Sequence, residues 1–315
     1  MAPDAIAIGR HIGTVLDEPN ADSSCLPTFL LSGFTRETAT VALSGDGGDE
    51  LFGGYSRYFD TVDECKRKRS SNLAFSAWRP GDAYLSNRIL VYPDDVLRRI
   101  IGHIPIGLTD SLARMRTSIN VDQRPLINCL REVDAANYMP GAVLAKVDRM
   151  SMQHALEVRA PLLGKEVAEF ASNLAGDACY ANGSGKLVLK EVAKRFLPEA
   201  WINRPKRGFG LPMDLWSAKA LLPITRELIT ARDARLAAWI NPVRLRYYLD
   251  SLEQDFHAYR GWALFILETW LRTHRAEPVQ DAPFESNFRF GEGAMVGIKR
   301  TFRSWGRRWH RGTAS

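Results

Sequence analysis

Apolar residues recur at three- and four-residue spacing along most of the chain, which is the pattern of amphipathic helices. The clearest examples are Leu26 to Phe34, Asn137 to Pro161 and Tyr259 to Thr273. Val41 to Leu43 is a different, continuous apolar run between polar residues, and it predicts a short buried strand. The pattern therefore predicts an α/β protein that is mostly helical.

The strand Val41 to Leu43 leads into a glycine-rich turn, Ser44 to Gly48, and then into a short helical piece that ends at Gly53 and Gly54. Free backbone N–H groups at such a turn bind anions, and nearby carboxylates indicate a bridging Mg²⁺. Three carboxylates lie in or directly after the turn, namely Asp46, Asp49 and Glu50. An acidic turn with an Asp helix cap explains the composition equally well. The turn is not a P-loop, because no Gly-Lys-Ser/Thr follows the glycines.

Two further polar stretches are candidates for the same site. Acidic clusters at Leu16 to Pro19 and Ala21 to Ser24 precede a predicted helix, and they either line the site or cap that helix. The loop Asn203 to Pro212 lies between prolines and carries Lys206 between Arg204 and Arg207. It is either an anion clamp, with Lys206 as a point charge, or an ordinary surface loop.

A helix is predicted from Gly185-Lys186 to Leu197-Pro198, because its apolar residues recur at helical spacing. The predicted buried stripe consists of Leu189, Val192, Ala193 and Phe196. The lysines of this segment lie on another face.

Composition favours a packed protein of one large or two ordinary domains, with 315 residues, 45% hydrophobic and 25% charged. No apolar run is long enough to span a bilayer, and the N-terminus lacks the features of a signal peptide. The four cysteines, at positions 25, 65, 129 and 179, form no CxxC pair or metal spacing. They are predicted to be small buried residues of a reduced, cytoplasmic protein.

The net charge of +6 comes from the C-terminal tail. Six Lys/Arg and no acid follow Val296, so the rest of the chain has equal numbers of basic and acidic residues. The basic charge therefore does not predict nucleic-acid binding by the core. Aromatic and aliphatic residues recur at helical spacing in the tail, which either contacts an anionic membrane or a partner or is a disordered terminus.

Three separated stretches together resemble the synthetase domain of the glutamine-hydrolysing asparagine synthetases. They are Ser44-Gly-Asp-Gly-Gly-Asp-Glu-Leu-Phe-Gly-Gly-Tyr55, Lys146-Val-Asp-Arg-Met-Ser-Met-Gln-His-Ala-Leu-Glu-Val-Arg-Ala-Pro-Leu162 and Lys186 through Trp216 with its Arg-Pro-Lys-Arg-Gly-Phe. The resemblance runs in the same order from about Leu16 to about Arg272, and Asp22-Ser-Ser fits the segment before the central motif.

The resemblance implies ATP-dependent amidation of aspartate. Its carboxylate attacks the α-phosphate of ATP to give β-aspartyl-AMP, and ammonia derived from glutamine then displaces AMP. By resemblance, the cofactors are ATP and Mg²⁺. Ser44, Gly45 and Asp22 bind the nucleotide, Asp49 binds Mg²⁺, Asp46 acts in adenylate formation, and Lys206 neutralises charge at the α-phosphate and pyrophosphate.

The sequence departs from the family's pattern in several respects, among them the absence of an aspartate at Gly141, Ala142 and Gly164. Position 2 is Ala2 rather than a catalytic cysteine, and residues 1–315 contain no Ser-Gly-Gly-x-Asp-Ser pyrophosphate loop. The chain is therefore expected to be the C-terminal part of a synthetase domain, a truncated adenine-nucleotide α-hydrolase-like (PP-loop ATP pyrophosphatase) fold over residues 1–280 with a basic tail over residues 281–315.

The loss of early strands is expected to leave Val41 to Leu43 poorly flanked. A complementing upstream glutaminase/PP-loop polypeptide and a homodimer are the partners to consider. The functional alternatives are amidation of another carboxylate, as in cell-surface polysaccharide modification, a non-catalytic subunit, and a scaffold that docks through the basic tail.

Overall fold

The structure, a computed structural model, describes residues 5–70, 79–87, 92–119, 124–204, 209, 218–254 and 258–274. The α-helices in these ranges are α1 (Ala5–Val15), α2 (Cys25–Arg36), α3 (Gly48–Phe52), α4 (Ser56–Ser70), α5 (Pro80–Asn87), α6 (Asp94–Ile100), α7 (Ile106–Ser118), α8 (Leu126–Val133), α9 (Ala145–Met152), α10 (Lys165–Ser172), α11 (Gly176–Cys179), α12 (Leu187–Ala193), α13 (Glu199–Ile202), α14 (Ala218–Thr230), α15 (Pro242–Gln254) and α16 (Ala258–His274). A π-helix, Asp134–Leu144, joins α8 to α9, and 3₁₀ turns occur at Pro161–Leu163 and Leu236–Ala238.

The strands of the described residues form two small sheets. β1 (Val41–Leu43) pairs in parallel with β2 (Glu157–Arg159), so that Leu43 lies opposite Arg159. β3 (Tyr180–Ala181) and β4 (Ser184–Gly185) form an antiparallel pair. The protein is thus mostly helical with few strands, as predicted.

Four apolar clusters hold the described helices together. One cluster joins α1, α2 and α16 around Trp262, Phe265 and Ile266, all of which are fully buried. α1 approaches α16 closely at Gly9, where a Cβ atom would lie 3.0 Å from the Trp262 ring. The other clusters lie among α6, α14, α15 and α16, among α4, α5 and α8, and between α3 and α10. The sequence prediction of a core helix at Tyr259 to Thr273 is confirmed.

The strand predicted at Val41 to Leu43 is confirmed, but its predicted burial is wrong. The side chain of Leu43 is largely exposed, and that of Val41 is exposed as well. Among the described residues β2 is the single strand that pairs with β1, and the second edge of β1 has no neighbour there. A parallel strand is normally covered on both faces, and β1 lacks that cover in the described ranges.

The long helix predicted over Asn137 to Pro161 is also partly wrong. α9 ends at Met152, and Ala155 adopts a positive φ of 52°, which turns the chain out of the helix. The next residues extend and pair with β1, and their side-chain periodicity changes accordingly. Pro161 therefore follows a strand rather than a helix.

The buried stripe predicted after Lys186 is wrong as well. α12 ends at Ala193, and none of its residues is fully buried. Leu189 packs against the cluster of α3 and α10, whereas Val192 and Phe196 are exposed. The helix is too short to bring all four stripe residues onto one contact surface.

All four cysteines are free and buried, as the sequence predicts. Burial raises the pKa of the Cys25 thiol to about 12. We expect the native protein at about pH 8 to react slowly with a thiol reagent at every cysteine, because the thiolate is the reactive species. Absorbance titration should then count four thiols in urea. Rapid modification of Cys25 in the native protein would contradict this expectation.

Within the described ranges, the helices are all too short or too polar to traverse a lipid bilayer.

Candidate functional site

The turn between β1 and α3 is built by local backbone requirements. Ser44 donates its backbone N–H to the Arg159 carbonyl at 2.8 Å, which continues the parallel ladder by one residue. The Ser44 hydroxyl then donates to Asp46 Oδ2 at 2.8 Å. Gly47 has a φ of 84°, a left-handed conformation that favours glycine, and it starts α3. The turn thus holds Ser44, Gly45 and Asp46 together at the carboxyl end of β1.

Asp49 in the first turn of α3 pairs with Lys186, which lies at the N-terminal boundary of α12. Lys186 Nζ lies 3.1 Å from Asp49 Oδ1, and both side chains are partly accessible. Lys186 itself has a φ of 58° and donates its backbone N–H to the Phe52 carbonyl at 3.1 Å. A Cβ atom at Gly54 would lie 2.1 Å from Asp49 Oδ1, so a side chain there would displace the pair. Lys186 therefore belongs to the site.

Glu50, the third carboxylate of the turn, points inward. It is buried and accepts a hydrogen bond from the Tyr55 hydroxyl at 2.6 Å. Burial raises the pKa of the Glu50 carboxyl, and the hydrogen bond from Tyr55 opposes that rise. Glu50 therefore anchors α3 in the interior, while Asp46 and Asp49 remain partly accessible.

Beneath Tyr55 lies a cationic side chain stacked on aromatic rings. The Arg57 guanidinium carbon lies 3.7 Å from the centroid of the Tyr55 ring and 4.7 Å from that of Tyr138. Arg57 Nε donates to the fully buried Asp134 carboxylate at 3.1 Å, and the Tyr58 hydroxyl donates to the same carboxylate at 2.6 Å. Burial opposes the charge on Arg57, but the Asp134 carboxylate together with Tyr58 and Tyr84 outweighs burial and raises the pKa of the guanidinium.

The C-terminal end of α3 is held by a buried arginine from α8. Arg131 Nε donates to the Leu51 carbonyl at 3.0 Å, and Nη2 donates to the Leu51 and Ala171 carbonyls. Carbonyls at a helix end lack intrahelical donors, and a cation there also complements the helix dipole. Burial lowers the pKa of Arg131. The short motif helix is therefore fixed at both ends by groups from other elements.

Asp22 lies in a second polar cluster, formed with α9. Lys146 Nζ lies 3.2 Å from Asp22 Oδ2 and 2.7 Å from Ser24 Oγ. Asp22 Oδ1 also accepts the Ser24 N–H at 2.9 Å in the turn before α2. The capping predicted as the structural alternative is not made there, because Ser24 at the N-terminal boundary of α2 forms no side-chain capping hydrogen bond. Burial raises the pKa of the Tyr138 hydroxyl, and the charges of Asp22 and Glu50 raise it further. The carboxylates of this cluster and of α3 thus both act on the Tyr138 hydroxyl.

The structure brings some of the predicted site residues together and leaves others apart. Ser44, Gly45 and Asp46 lie in the turn before α3 and Asp49 in the first turn of α3, whereas Asp22 makes its hydrogen bonds within its own cluster. Lys206 lies outside the described residues, as does the basic tail 281–315. The functional roles assigned to these residues from the sequence stay predictions.

Sequence reasoning missed Lys186 as a site residue. It read this lysine as the start of a helix, although Lys186 opens the third motif stretch. It also missed Arg57 and Asp134, for which the sequence carries no local signal because they meet across distant elements.

The turn fits a Mg²⁺ ion only if phosphate oxygens of a bound nucleotide supply most of the ligands of the ion. In the described part of the chain, no group of three or more His, Cys, Asp or Glu side chains is arranged to hold a metal ion. Mg²⁺ bound with a nucleotide often takes just one or two protein carboxylates. Asp49 is a partly accessible carboxylate of this kind, and in this structure it pairs with Lys186.

Comparison with known proteins relates this arrangement to one family. The family described as asparagine synthase matches residues 2–272. The glutamine-hydrolysing asparagine synthetase 1 of Bacillus subtilis is 27% identical over 282 residues, which cover 81% of this chain and 44% of the relative. A putative glutamine-hydrolysing asparagine synthetase of Mycobacterium tuberculosis H37Rv is 26% identical over 292 residues, which cover 85% of this chain and 45% of the relative.

A shorter match is stronger in identity. Putative glutamine-hydrolysing asparagine synthetase 2 of Methanocaldococcus jannaschii is 50% identical over 46 residues, or 15% of this chain. The chain spans less than half the length of the Bacillus and Mycobacterium relatives. Because the family match extends over most of its residues, the chain belongs to the asparagine synthase family.

Proposed function

We propose that this chain carries part of the active site of an ATP-dependent carbon–nitrogen ligase that converts aspartate to asparagine through β-aspartyl-AMP. The observation that supports this most is the convergence of three sequence-distant motifs. β1, which leads into the first motif, pairs with β2 of the second, and Asp49 of the first pairs with Lys186 of the third. We infer a PP-loop ATP pyrophosphatase fold for the complete domain on the same grounds.

In this proposal the uncharged and charged residues of the site have different roles. Ser44 and Gly45 contact the nucleotide, because Gly45 borders open space and leaves the backbone accessible to a ligand. Asp46, fixed by Ser44, acts in adenylate formation. Lys206 neutralises the α-phosphate, where negative charge opposes attack by a carboxylate.

Asp49 would hold Mg²⁺ together with the phosphates of ATP, and the ion would neutralise their charge. Lys186 then serves as the counter-ion of Asp49 until the nucleotide and its metal arrive. The partners within this proposal are aspartate, ammonia derived from glutamine, and a glutaminase/PP-loop polypeptide. We further propose, from the family membership, that the reaction takes place in the cytoplasm.

The test is formation of AMP and asparagine from ATP, aspartate and ammonia. The chain would be co-expressed with the portion of the Bacillus subtilis relative that lies outside the match, since the chain spans 44% of that relative. We expect Asp46→Asn and Asp49→Asn each to lower the rate at least about 100-fold. Asp49→Asn weakens the hold on the Mg²⁺ that would neutralise the phosphates, and Asp46→Asn removes the carboxylate that acts in adenylate formation in this proposal.

Asp95→Asn is the matched control, because this exposed residue of α6 pairs with a neighbour on its own helix. Its rate should equal that of the parent protein. Retained activity in both site variants would overturn the assignment of the turn. Faster AMP release with another carboxylate acceptor than with aspartate would establish the alternative amidotransferase.

A further inference from the structure

One face of α15 presents apolar and aromatic side chains to solvent. Val243 is 77% exposed and Tyr247 is 74% exposed, and residues four apart on a helix lie on the same face. Trp239, which follows the 3₁₀ turn Leu236–Ala238 shortly before α15, is 41% exposed. The opposite face of α15 is buried in the cluster with α6, α14 and α16 through Leu245, Tyr248 and Leu249. The helix therefore has a packed inner face and an apolar outer face.

The same stretch of the chain carries an excess of positive charge. Residues 232–247 contain four arginines and a single acid, and all four arginines are exposed. Arg246 lies three residues after Val243, on the same side of α15. Apolar, aromatic and cationic side chains are thus exposed together along this stretch. We define the arginine–aromatic patch as Arg232, Arg235, Trp239, Val243, Arg246 and Tyr247.

The acidic side chains next to the patch have counter-ions outside it. Asp233 Oδ2 lies 2.6 Å from Arg272 Nη1 of α16. Asp250, about one turn after Arg246 on α15, lies 2.8 Å from Arg226 Nη1 of α14. Because each of these two acids is paired with an arginine of another helix, the patch keeps a net positive charge.

The patch lies next to the end of α16, from which the chain continues to the basic tail. The backbone N–H groups of Arg235 and Leu236 donate to the buried Glu268 carboxylate of α16 at 2.9 and 2.7 Å. α16 ends at His274, less than two turns after Glu268. The sequence from Val296 onward carries six Lys/Arg and no acid. The patch and the tail therefore have charge of the same sign and are connected through α16.

We propose that the arginine–aromatic patch binds the surface of a membrane that contains anionic lipids, with the basic tail as a second point of attachment. Arginines attract anionic head groups while their aliphatic stems cover apolar surface. Tryptophan and tyrosine are favoured at the boundary between head groups and acyl chains, and Val243 enters the apolar side of that boundary. This binding is independent of the proposed ligase reaction.

Other occupants of the patch fit its charge and shape less well. A second copy of the chain would bring two positive patches together, and like charges across an interface repel. The basic tail of the same chain is repelled for the same reason. Single-stranded nucleic acid is bound by aromatic rings that stack on bases within positively charged grooves, whereas Val243 has no ring and lies on an outward helix face. An anionic lipid surface satisfies both the positive charge and the exposed apolar side chains.

The experiment measures co-sedimentation of the full chain with lipid vesicles. One set of vesicles contains phosphatidylcholine alone, and the other contains equal parts of phosphatidylcholine and phosphatidylserine. We expect the anionic vesicles to bind at least about tenfold more tightly, and added salt to weaken that binding. Val243→Asp and Arg246→Glu should each weaken it at least about fivefold, because each places an acid against the anionic surface.

Val192→Asp and Arg195→Glu are the matched controls. They make the same chemical changes at two exposed positions, one within α12 and one shortly after it. Their net charges equal those of the two patch variants. Both controls should bind the anionic vesicles like the parent protein, and far-UV circular dichroism should show that all four variants are folded.

Three results would overturn the proposal. The first is equal binding to the two kinds of vesicle. The second is patch variants that bind as tightly as their controls while deletion of residues 296–315 abolishes binding. The third is a single-stranded RNA oligonucleotide that binds more tightly than the anionic vesicles and is weakened by the same two patch variants. The measurement contains no ATP or aspartate, so its outcome is separate from that of the AMP assay.

Discussion

Replacement of Asp134 by alanine is expected to lower the free energy of unfolding by about 3–5 kcal/mol, because it leaves a buried guanidinium without its counter-ion. Asp134 is fully buried and accepts hydrogen bonds from Arg57, Tyr58 and Tyr84. The substitution removes the acceptor of all three donors at once. The loss would be measured by urea unfolding followed by far-UV circular dichroism.

Asp95→Ala provides the matched control for this substitution. Asp95 pairs with Arg99 one turn away on α6 at 3.6 Å, and both side chains are largely exposed. Exposed pairs of this kind contribute about 0.3–0.5 kcal/mol, so the control should unfold almost like the parent. Equal losses in the two variants would show that the buried Asp134 cluster does not stabilise the fold.

Replacement of Trp262 by alanine is expected to destabilise the protein by about 3–5 kcal/mol, the range measured for large aromatic residues in protein cores. Trp262 is fully buried and packs with residues of α1 and α2 in one apolar cluster. The close approach of Gly9 to its ring leaves no side chain of α1 at that point to fill the resulting cavity. Urea unfolding measures this loss as well.

Trp239→Ala controls for the loss of a tryptophan as such. Trp239 is 41% exposed after the 3₁₀ turn Leu236–Ala238, so its removal opens less buried volume. We expect less than half the destabilisation found for Trp262→Ala. A Trp262→Ala protein as stable as the Trp239→Ala protein would contradict the central place of α16 in the core.

The strand–turn–helix at Val41 to Phe52 is predictable from sequence because its conformation is set locally. Gly47 and Gly53 both adopt positive φ, at 84° and 70°, and they bound α3 on either side. An apolar run that stops at such glycines needs no information from elsewhere in the chain. α16 is predictable from the sequence as well, because its apolar residues recur at helical spacing over a segment that is longer than a typical strand.

β2 was not predictable in this way. Residues 157–159 continue an apolar spacing that fits a helix, and they become a strand because β1 offers hydrogen bonds to them. A strand is stabilised by hydrogen bonds and side-chain contacts to the strand beside it. A stretch of sequence that does not include the neighbouring strand therefore lacks the interaction that decides its conformation. The reversal at Ala155, with positive φ at a non-glycine residue, gives no sequence signal either.

The sequence by itself determined the family resemblance, the turn that carries Ser44 to Asp49, and the helical character of the chain. The tertiary structure decided that Lys186 pairs with Asp49, that Glu50 faces Tyr55 in the interior, and that Leu43 is exposed. The physical reason is the range of the interactions. Turn glycines and helix periodicity act over a few residues, whereas ion pairs, burial and strand pairing depend on which distant segments meet.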